Sequence, residues 1–160
     1  MPATAPAYAE LLCISNHTYL RGASHPEELV ARAAALGYTA LAVTDECSLG
    51  GVVRAHRAAR EHGLPLIVGT ELRLHDGPRL VLLAADRDGY GDLCELISRG
   101  RRAADKGSYR LSRQDVERLG SGVLAVLLPD EEPALEPARW LAGCFPGRAW
   151  VGCALLRGPD

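Results

Sequence analysis

The sequence predicts an α/β protein with a mostly parallel sheet, built either as an open doubly wound sheet or as a barrel. Apolar strands alternate with amphipathic helices along the chain, and only one hairpin interrupts them. Two carboxylates, Asp45 and Glu46, directly follow the second strand. Strands joined through helices are expected to run parallel, and the carboxyl ends of such strands form the edge where ligands and metals bind.

The composition is that of one globular domain without a membrane span. The chain has 160 residues, of which 48% are hydrophobic and 24% charged, a size that fits a single core. No apolar run approaches the roughly 18 residues of a transmembrane helix. The N-terminus has no basic segment followed by an apolar core, so it does not resemble a secretory signal. We expect a cytoplasmic protein with no membrane contact and a flexible segment at residues 1–7.

Charge and cysteine content argue against bulk nucleic-acid binding and against a structural zinc site. The 18 Lys and Arg residues against 20 Asp and Glu residues give a formal net charge of −2, which argues against bulk attraction to nucleic acid. The five cysteines are widely spaced and contain no C-x-x-C pair, which argues against a structural zinc knuckle. We expect most of them to be buried, reduced thiols. They are Cys13, Cys47, Cys94, Cys144 and Cys153.

The first strand and helix have clear boundary signals. Residues 8–15 are mostly apolar and predict a buried strand. Ser24 and Glu27 then match a capping box, with Pro26 tolerated in the first helical turn. Apolar residues continue at helical spacing until Gly37, which supplies a left-handed stop.

The same order of strand and helix then repeats. Residues 38–44 predict the second strand, and a turn at residues 45–48 leads into a helix from about Leu49 to His62. Residues 64–69 predict a short third strand, with Glu71 just past its end.

A hairpin at residues 72–83 breaks the alternation, because Asp76-Gly77 between alternating apolar residues favours a tight reversal. Counting all elements gives six or seven strands. The remaining predicted elements are a helix at 90–102, a short helix from the Ser112/Asp115 cap to Leu119, a strand at 123–128, a helix at 133–145 with an alternative start at Pro137, and a strand at 149–156.

The last predicted strand has no covering helix after it, which suggests an architecture interrupted before completion. We therefore expect one domain spanning residues 1–160 and truncated at its C-terminus. We also expect apolar surface around Val151 and Leu155 and a tendency to self-associate.

Four separated blocks of sequence, in residues 11–29, 42–49, 67–71 and 157–160, resemble the N-terminal PHP (polymerase and histidinol phosphatase) domain of bacterial error-prone DNA polymerases. The resemblance runs over essentially the whole chain. It implies an incomplete PHP-type (βα)7 barrel, with mostly parallel strands, one hairpin and metal ligands at the strand ends.

The resemblance also implies a parent chain with palm, thumb and fingers, related to the polymerase III alpha subunit. That family of nucleotidyltransferases synthesises DNA across damage, in DNA repair and replication. The polymerase carboxylates match no residue of this sequence. We therefore expect no nucleotidyl transfer, and no catalytic residue, in this chain alone.

The metal-binding motifs of the PHP family are only partly present. Where the family has His-x-His, this chain has the apolar residues Leu12 and Ile14 around Cys13. Where the family has Asp-His, the chain has Asp45 and Glu46, and Glu71 matches the glutamate of the next motif. Near the last strand, where Glu-x-His is expected, residues 154–156 read Ala-Leu-Leu.

What is left is a degenerate set of oxygen ligands, Asp45, Glu46 and Glu71, with no imidazole. Such a set predicts no tightly bound cofactor and at most weak Mg²⁺ or Mn²⁺ binding that keeps several waters. Asp45 has an alternative role as an Asx turn or as the N-cap of the following helix. Glu71 has an alternative as a solvent-facing strand end.

The histidines do not complete this set. His17 and His25 lie in the loop after strand one, where a solvated or capping role is favoured over metal ligation. His56 and His62 are six residues apart on a predicted helix and point to different faces. We expect His75, beside the hairpin turn, to be exposed.

A basic run near residues 99–113 is the other charged constellation. Such a run is able to contact phosphates or a nucleic-acid backbone. The alternative, which we favour, is a solvated helix end where cations complement the helix dipole. The residues are Arg99, Arg101, Arg102, Lys106, Arg110 and Arg113.

Three functional hypotheses follow. The first is a structural or interaction module of an error-prone polymerase, with the remaining polymerase domains or other lesion-bypass proteins as partners and with DNA reached only through the parent polymerase. The second is a divalent-metal-dependent phosphoesterase of the PHP class that uses Asp45, Glu46 and Glu71. The third is a nucleic-acid-binding module that uses the basic run.

Overall fold

The computed structural model describes residues 7–130 and 132–153. Six strands lie side by side in one sheet in their order along the chain, and the sheet curls into a half barrel. The elements are β1 (Ala9–Glu10), α1 (Pro26–Ala35), β2 (Ala40–Val43), α2 (Val52–His62), β3 (Leu66–Arg73), β4 (Arg79–Ala84), α3 (Arg87–Arg102), α4 (Arg113–Val116), β5 (Val123–Leu128), α5 (Leu135–Cys144) and β6 (Ala149–Val151).

The strand directions confirm a mostly parallel sheet with one hairpin. Parallel pairing joins β1 to β2, β2 to β3 and β5 to β6. Strand β4 reverses after the hairpin turn and pairs antiparallel with both neighbours, β3 and β5. The expectation that helix-linked strands run parallel is therefore wrong for β4 and β5, because the hairpin had already turned β4 around before α3 carries the chain back.

The two faces of the sheet bury different side chains of the same strands. In β4, Leu80 and Leu82 belong to a large cluster under α3 and α5, whereas Val81 and Leu83 belong to a smaller cluster on the opposite face. Successive side chains of a strand point to opposite faces, so a continuous apolar run fills both. A third cluster, around Val30 and Leu41, packs α1 and α2 onto β2.

The first strand is much shorter than residues 8–15. Its ladder with β2 ends at Glu10 because side chains intercept the next amides. The Leu12 amide donates to Glu10 Oε1 at 3.0 Å, and the Cys13 amide donates to Thr44 Oγ1 at 3.1 Å. Regular pairing therefore stops at Glu10, although the Thr44 amide still donates to the Cys13 carbonyl at 2.8 Å, and residues 11–25 form the long β1–α1 loop.

Helix α1 begins one residue later than predicted. Its N-cap is His25, whose amide donates to Glu28 Oε2 at 2.7 Å, and Pro26 occupies the first turn as expected. The Ser24 carbonyl accepts the Asn16 amide at 2.8 Å, so that residue belongs to the preceding loop. Gly37, with φ of 74°, provides the predicted left-handed stop.

Strand β3 is longer than residues 64–69. Pairing with β4 extends it to Arg73, so Glu71 lies within the strand, opposite Val81, and not beyond its end. Helix α2 begins at Val52, three residues after the predicted start, with Gly51 as its N-cap. Strand β5 has the predicted boundaries.

Helix α3 begins before residue 90, because the Asp86 side chain accepts the Gly89 amide at 2.8 Å and caps it. Helix α4 ends at Val116 and not at Leu119. Helix α5 covers most of the predicted span.

Several predictions concern the chain ends and the cysteines. Trp150 and Val151 are exposed on β6, while Leu155 and residues 154–160 lie outside the described residues, as do residues 1–6 of the predicted flexible start.

All five cysteines are free thiols, but only Cys47 is fully buried, so the expected burial of most of them is wrong. No helix of the described residues is long and apolar enough to cross a bilayer.

Candidate functional site at the strand ends

Asp45 lies directly after β2 and is 1% exposed. Its Oδ1 accepts the Ser15 amide and the Thr18 hydroxyl, each at 2.7 Å, and its Oδ2 accepts the Ser15 hydroxyl at 2.7 Å. All these donors come from the β1–α1 loop. Asp45 does accept amide and hydroxyl hydrogen bonds, but it does not cap α2, whose N-cap is Gly51.

The loop that supplies these donors is folded tightly on itself. The Gly22 amide donates to the Thr18 carbonyl at 2.9 Å, and a Cβ atom on Gly22 would lie 1.9 Å from the Ser15 carbonyl oxygen. Only glycine allows this close backbone approach. At the tip, Leu20 has a φ of 66°, a left-handed conformation that is unfavourable for leucine.

Glu46 and Glu71 lie side by side because β2 continues past Val43 into an isolated parallel bridge that pairs the two glutamates. Glu71 is 3% exposed. Arg21, from the β1–α1 loop, reaches both carboxylates. Its Nη1 donates to Glu46 Oε2 at 2.6 Å and to Glu71 Oε1 at 3.2 Å, and its Nη2 donates to the two oxygens of Glu71 at 3.2 and 3.1 Å.

The other oxygen of Glu46 is also engaged. The Tyr109 hydroxyl donates to Glu46 Oε1 at 2.9 Å and itself accepts the Arg73 amide at 2.9 Å. The Arg101 guanidinium carbon lies 5.5 Å from the centre of the Tyr109 ring. Tyr109 therefore joins the strand-end carboxylates to the segment after α3. We call Ser15, Thr18, Arg21, Asp45, Glu46 and Glu71 the carboxylate cluster.

The charges of the cluster stabilise one another. The hydrogen bond from Arg21 to Glu71 is the main reason why the pKa of Arg21 is raised. Burial acts to raise the pKa of Glu46, but its hydrogen bonds with Tyr109 and Arg21 outweigh burial, so that pKa is lowered. Glu46 is therefore ionised, and paired, throughout the neutral pH range.

The nearby thiols do not add a ligand. Burial is the main reason why the pKa values of Cys13 and Cys47 are raised to about 11. Both thiols are therefore protonated at neutral pH, whereas metals bind the thiolate.

The loop histidines lie beside the cluster without joining it. The side chains of Asn16 and His25 are hydrogen-bonded, with 2.7 Å between Asn16 Nδ2 and His25 Nδ1. His17 is half-buried against Gly50 and Gly51, and its Nε2 has no hydrogen-bond partner among the described residues. His56, His62 and His75 are all exposed, as predicted for His75.

Asp45 and Glu46 follow β2 as the sequence predicts, whereas Glu71 lies inside β3, near its end and not past it. The groups that bind these carboxylates were not predicted. No sequence motif indicated a role for Ser15, Thr18, Arg21 or Tyr109. Ser15, Thr18 and Arg21 follow the first strand, so their position at the carboxyl edge was a usable signal. Nothing in the sequence indicates that Tyr109, 63 residues after Glu46, would reach it.

The basic run divides into two groups. Arg99 pairs with Glu95 and Asp115, Arg113 pairs with Glu136, and Arg101 donates to the backbone carbonyls of Cys47 and Glu46. The others extend into solvent, and no hydrogen bond or ion pair joins their side chains to the described residues. These exposed cations are Arg102, Lys106 and Arg110.

The chain matches the sequence profile of the PHP domain over residues 10–139. It belongs to the PHP domain family. This PHP domain is 59% identical, over 96% of its length, to the error-prone DNA polymerase of Pseudomonas aeruginosa, and 57% identical, also over 96%, to that of Methylococcus capsulatus. It spans only 15% of the length of either relative.

Two solved structures share the fold of this PHP domain. One is described as a putative metal-dependent phosphoesterase from Bifidobacterium adolescentis, with a TM-score of 0.70, 16% identity, and 91% and 77% of the two chains covered. The other is described as an amidohydrolase from Chromobacterium violaceum, with a TM-score of 0.65, 18% identity, and 91% and 76% covered. At these identities the likeness shows the fold, which is that of an incomplete PHP barrel.

PHP domains are generally metal-dependent, but the donor set of this one does not fit a catalytic metal. Asp45 has both oxygens hydrogen-bonded to the loop, and Glu46 and Glu71 share the Arg21 guanidinium. A metal at this edge would have to displace a cation that is already hydrogen-bonded. Across residues 7–130 and 132–153, no three His, Cys, Asp or Glu side chains converge to hold a metal ion.

Proposed function

We propose that this PHP domain is part of an error-prone DNA polymerase and serves it as a structural or interaction module, without phosphoester chemistry of its own. The observation that carries the proposal is the engagement of all three strand-end carboxylates by side chains and amides of the chain itself. A phosphoesterase needs those carboxylates free to hold metals and a water nucleophile.

The role of the whole polymerase belongs to this proposal too. Relatives with 54–59% identity are named error-prone DNA polymerases, and the chain matches about 15% of each. We infer a parent activity of DNA-directed nucleotidyl transfer across damaged templates, in a cytoplasmic protein. The partners would be the remaining polymerase domains or other lesion-bypass proteins, and DNA would be reached through the polymerase.

A metal titration combined with an activity assay tests the proposal. The 160-residue chain is dialysed against chelator, titrated with Mn²⁺ and Zn²⁺ by calorimetry, and assayed on bis-p-nitrophenyl phosphate with each metal. We expect no tight stoichiometric binding and no turnover above a protein-free blank. Weak Mg²⁺ or Mn²⁺ binding, the sequence prediction for Asp45, Glu46 and Glu71, would appear here as millimolar affinity without turnover.

The opposite result would support the second candidate, a metal-dependent phosphoesterase of the PHP class. Its support is the shared fold, together with the presence of Asp45 and Glu71. Stoichiometric tight binding, with turnover that disappears in a folded Asp45→Asn variant, would contradict our proposal. A folded Asp105→Asn variant, changed at an exposed aspartate far from the cluster in sequence, controls for nonspecific loss.

The interaction role is testable by reconstitution. The Pseudomonas aeruginosa error-prone polymerase is produced without the segment that this chain matches and is mixed with the tagged chain. We expect the two to co-purify, and the mixture to extend a primer better than the truncated polymerase alone. Failure to associate, with both proteins folded, would contradict an interaction role in a polymerase of this type.

Nucleic-acid binding by the basic run stays a prediction, now restricted to Arg102, Lys106 and Arg110. These three are exposed, whereas the others are engaged by the chain. Anisotropy with a fluorescent single-stranded oligonucleotide tests it across a salt series. Direct binding through these cations requires an affinity that falls steeply with salt. Binding that is indifferent to salt would rule it out.

A further inference from the structure

Arg21 lies between the carboxylates of Glu46, which follows β2, and Glu71, which is near the end of β3. It touches three of the four carboxylate oxygens of Glu46 and Glu71, at 2.6 to 3.2 Å. The fourth oxygen, Glu46 Oε1, is taken by the Tyr109 hydroxyl. Two neighbouring carboxylates repel each other unless a positive charge lies between them.

The contact with Glu71 depends on the planar shape of the guanidinium. Nη2 donates to both Glu71 oxygens, while Nη1 donates to Glu71 Oε1 and to Glu46 Oε2. A guanidinium offers several donors in a fixed fork, which suits this pattern, whereas an ammonium is a point charge. The other nearby cation, Arg79, has its Nε 4.0 Å from Glu71 Oε1. Arg21 is thus the main counter-charge of both glutamates.

Arg21 also ends the loop segment whose other end is bound to Asp45. Two sets of hydrogen bonds therefore hold the segment 15–22 on the sheet. Ser15 and Thr18 donate to Asp45, and Arg21 donates to the two glutamates. Between these hydrogen bonds, Tyr19 and Leu20 project into solvent, at 83% and 106% exposure. The backbone conformation of the tip is locally unfavourable, because Leu20 has a left-handed φ. The hydrogen bonds on either side of the tip must therefore impose it.

We infer that Arg21 is the resident cation of the strand-end site: it joins Glu46 to Glu71 and holds the β1–α1 loop closed. In this chain an internal guanidinium takes the place of a dissociable ion. The inference deepens the proposed function and rests on it for the structural role of the site. The two fail separately, since metal-dependent turnover by the wild-type chain contradicts the proposed function, whereas the experiments below test Arg21 itself.

Chemical rescue tests the role of the guanidinium. The Arg21→Ala variant leaves two adjacent glutamates unneutralised, and we expect its Tm to fall by roughly 3–10 °C. Guanidinium chloride at about 50 mM, a concentration far below the denaturing range, is expected to raise the Tm of the variant by about 2–4 °C relative to equal NaCl. The wild-type Tm should not rise. Full recovery of the variant by about 1 mM Mn²⁺ in place of guanidinium would overturn the inference, as would the absence of any rescue.

A matched variant separates this effect from the loss of any surface ion pair. Arg54 pairs with Glu27 between α1 and α2 and is comparably exposed. Arg54→Ala should lower the Tm by less than about 2 °C and show no rescue. A guanidinium response of equal size in Arg54→Ala would overturn the inference.

Two further measurements serve if Arg21→Ala is poorly folded. The Arg21→Lys variant keeps the charge but not the forked donor geometry of the guanidinium, and we expect its Tm to lie below that of the wild type. An unchanged Tm would show that any cation suffices.

Hydrogen exchange reports on the loop directly. In either variant, amides of residues 16–22 should exchange faster while those of β5 stay protected. Uniform loss of protection, or none, would contradict a local clamp.

Discussion

The carboxylate cluster and the basic run are both dense in charge, yet the fold uses them differently. In the carboxylate cluster, Asp45 and Glu71 are almost fully buried and every charge has partners from other segments. In the basic run, Arg102, Lys106 and Arg110 remain exposed. Charge that is buried must be paired, whereas charge at a helix end can remain in water.

The pairing in the carboxylate cluster is consistent with the structural role that we propose for this PHP domain. Leu12 and Ile14 occupy positions where the resemblance implies histidines. The carboxylates that remain still lie at the strand ends, and burial makes their unpaired charge costly. Ser15, Thr18 and Arg21 satisfy them from the loop. These contacts hold the β1–α1 loop on the sheet.

The largest expected effect is at Asp45. Replacement by alanine leaves the Ser15 amide and the Ser15 and Thr18 hydroxyls without their buried acceptor. We expect Asp45→Ala to lower the free energy of unfolding by about 2–4 kcal/mol. Urea denaturation followed by circular dichroism measures it. The exposed Asp105→Ala is the control, expected within about 0.5 kcal/mol of wild type, and equal effects of both variants would contradict the contrast between buried and exposed charge.

Within the basic run, the neighbours Arg101 and Arg102 should behave differently. Arg101 donates to the Cys47 carbonyl at 3.2 and 3.1 Å and lies over Tyr109, whereas Arg102 extends into solvent. We expect Arg101→Ala to cost about 1–2 kcal/mol of unfolding free energy and Arg102→Ala less than about 0.5 kcal/mol. Denaturant titrations of the two variants side by side decide this, and a larger loss for Arg102→Ala would reverse it.

The tip of the β1–α1 loop offers a stabilising change. Leu20 has a φ of 66° and is fully exposed, so Leu20→Gly relieves the left-handed strain at some cost in unfolded-state entropy. We expect a net gain of about 0.5–1 kcal/mol in unfolding free energy. The control is Leu36→Gly, at an exposed leucine with φ of −83°, which should lose stability. Thermal and urea unfolding that ranks the two variants in the opposite order would show that the loop is not strained at Leu20.

The smallest expected effect is the pH dependence of the stability that Glu46 contributes. The pKa of Glu46 is lowered in the folded protein, chiefly by Tyr109 and Arg21 acting against burial. Its stabilisation is therefore present above the unfolded pKa of about 4.3 and is lost as pH falls through the folded value. We expect the Tm difference between wild type and Glu46→Gln to be constant near neutrality and to shrink from about pH 5 downward. A difference that is the same at about pH 3 and pH 7 would contradict the pairing of Glu46.

Strand pairing shows how much of the fold was predictable. The alternation of apolar segments, the Asp76-Gly77 reversal and the Gly37 stop are local signals, and each corresponds to an element of the structure. The ends of a strand were less predictable where a residue distant in sequence determines them. The first strand ends early because the Thr44 side chain intercepts the Cys13 amide, and β3 reaches Arg73 because β4 pairs with it.

The sequence by itself determined the class of fold, the family and the presence of three carboxylates near the ends of β2 and β3, because periodicity, turn residues and motifs are local features of a sequence. Only the tertiary structure decided what those carboxylates bind. Arg21 lies 25 residues from Glu46 and 50 from Glu71, and Tyr109 lies 63 residues from Glu46. Contacts at such separations depend on how the loop closes over the sheet, and burial then makes pairing obligatory for any charge that the closed loop covers.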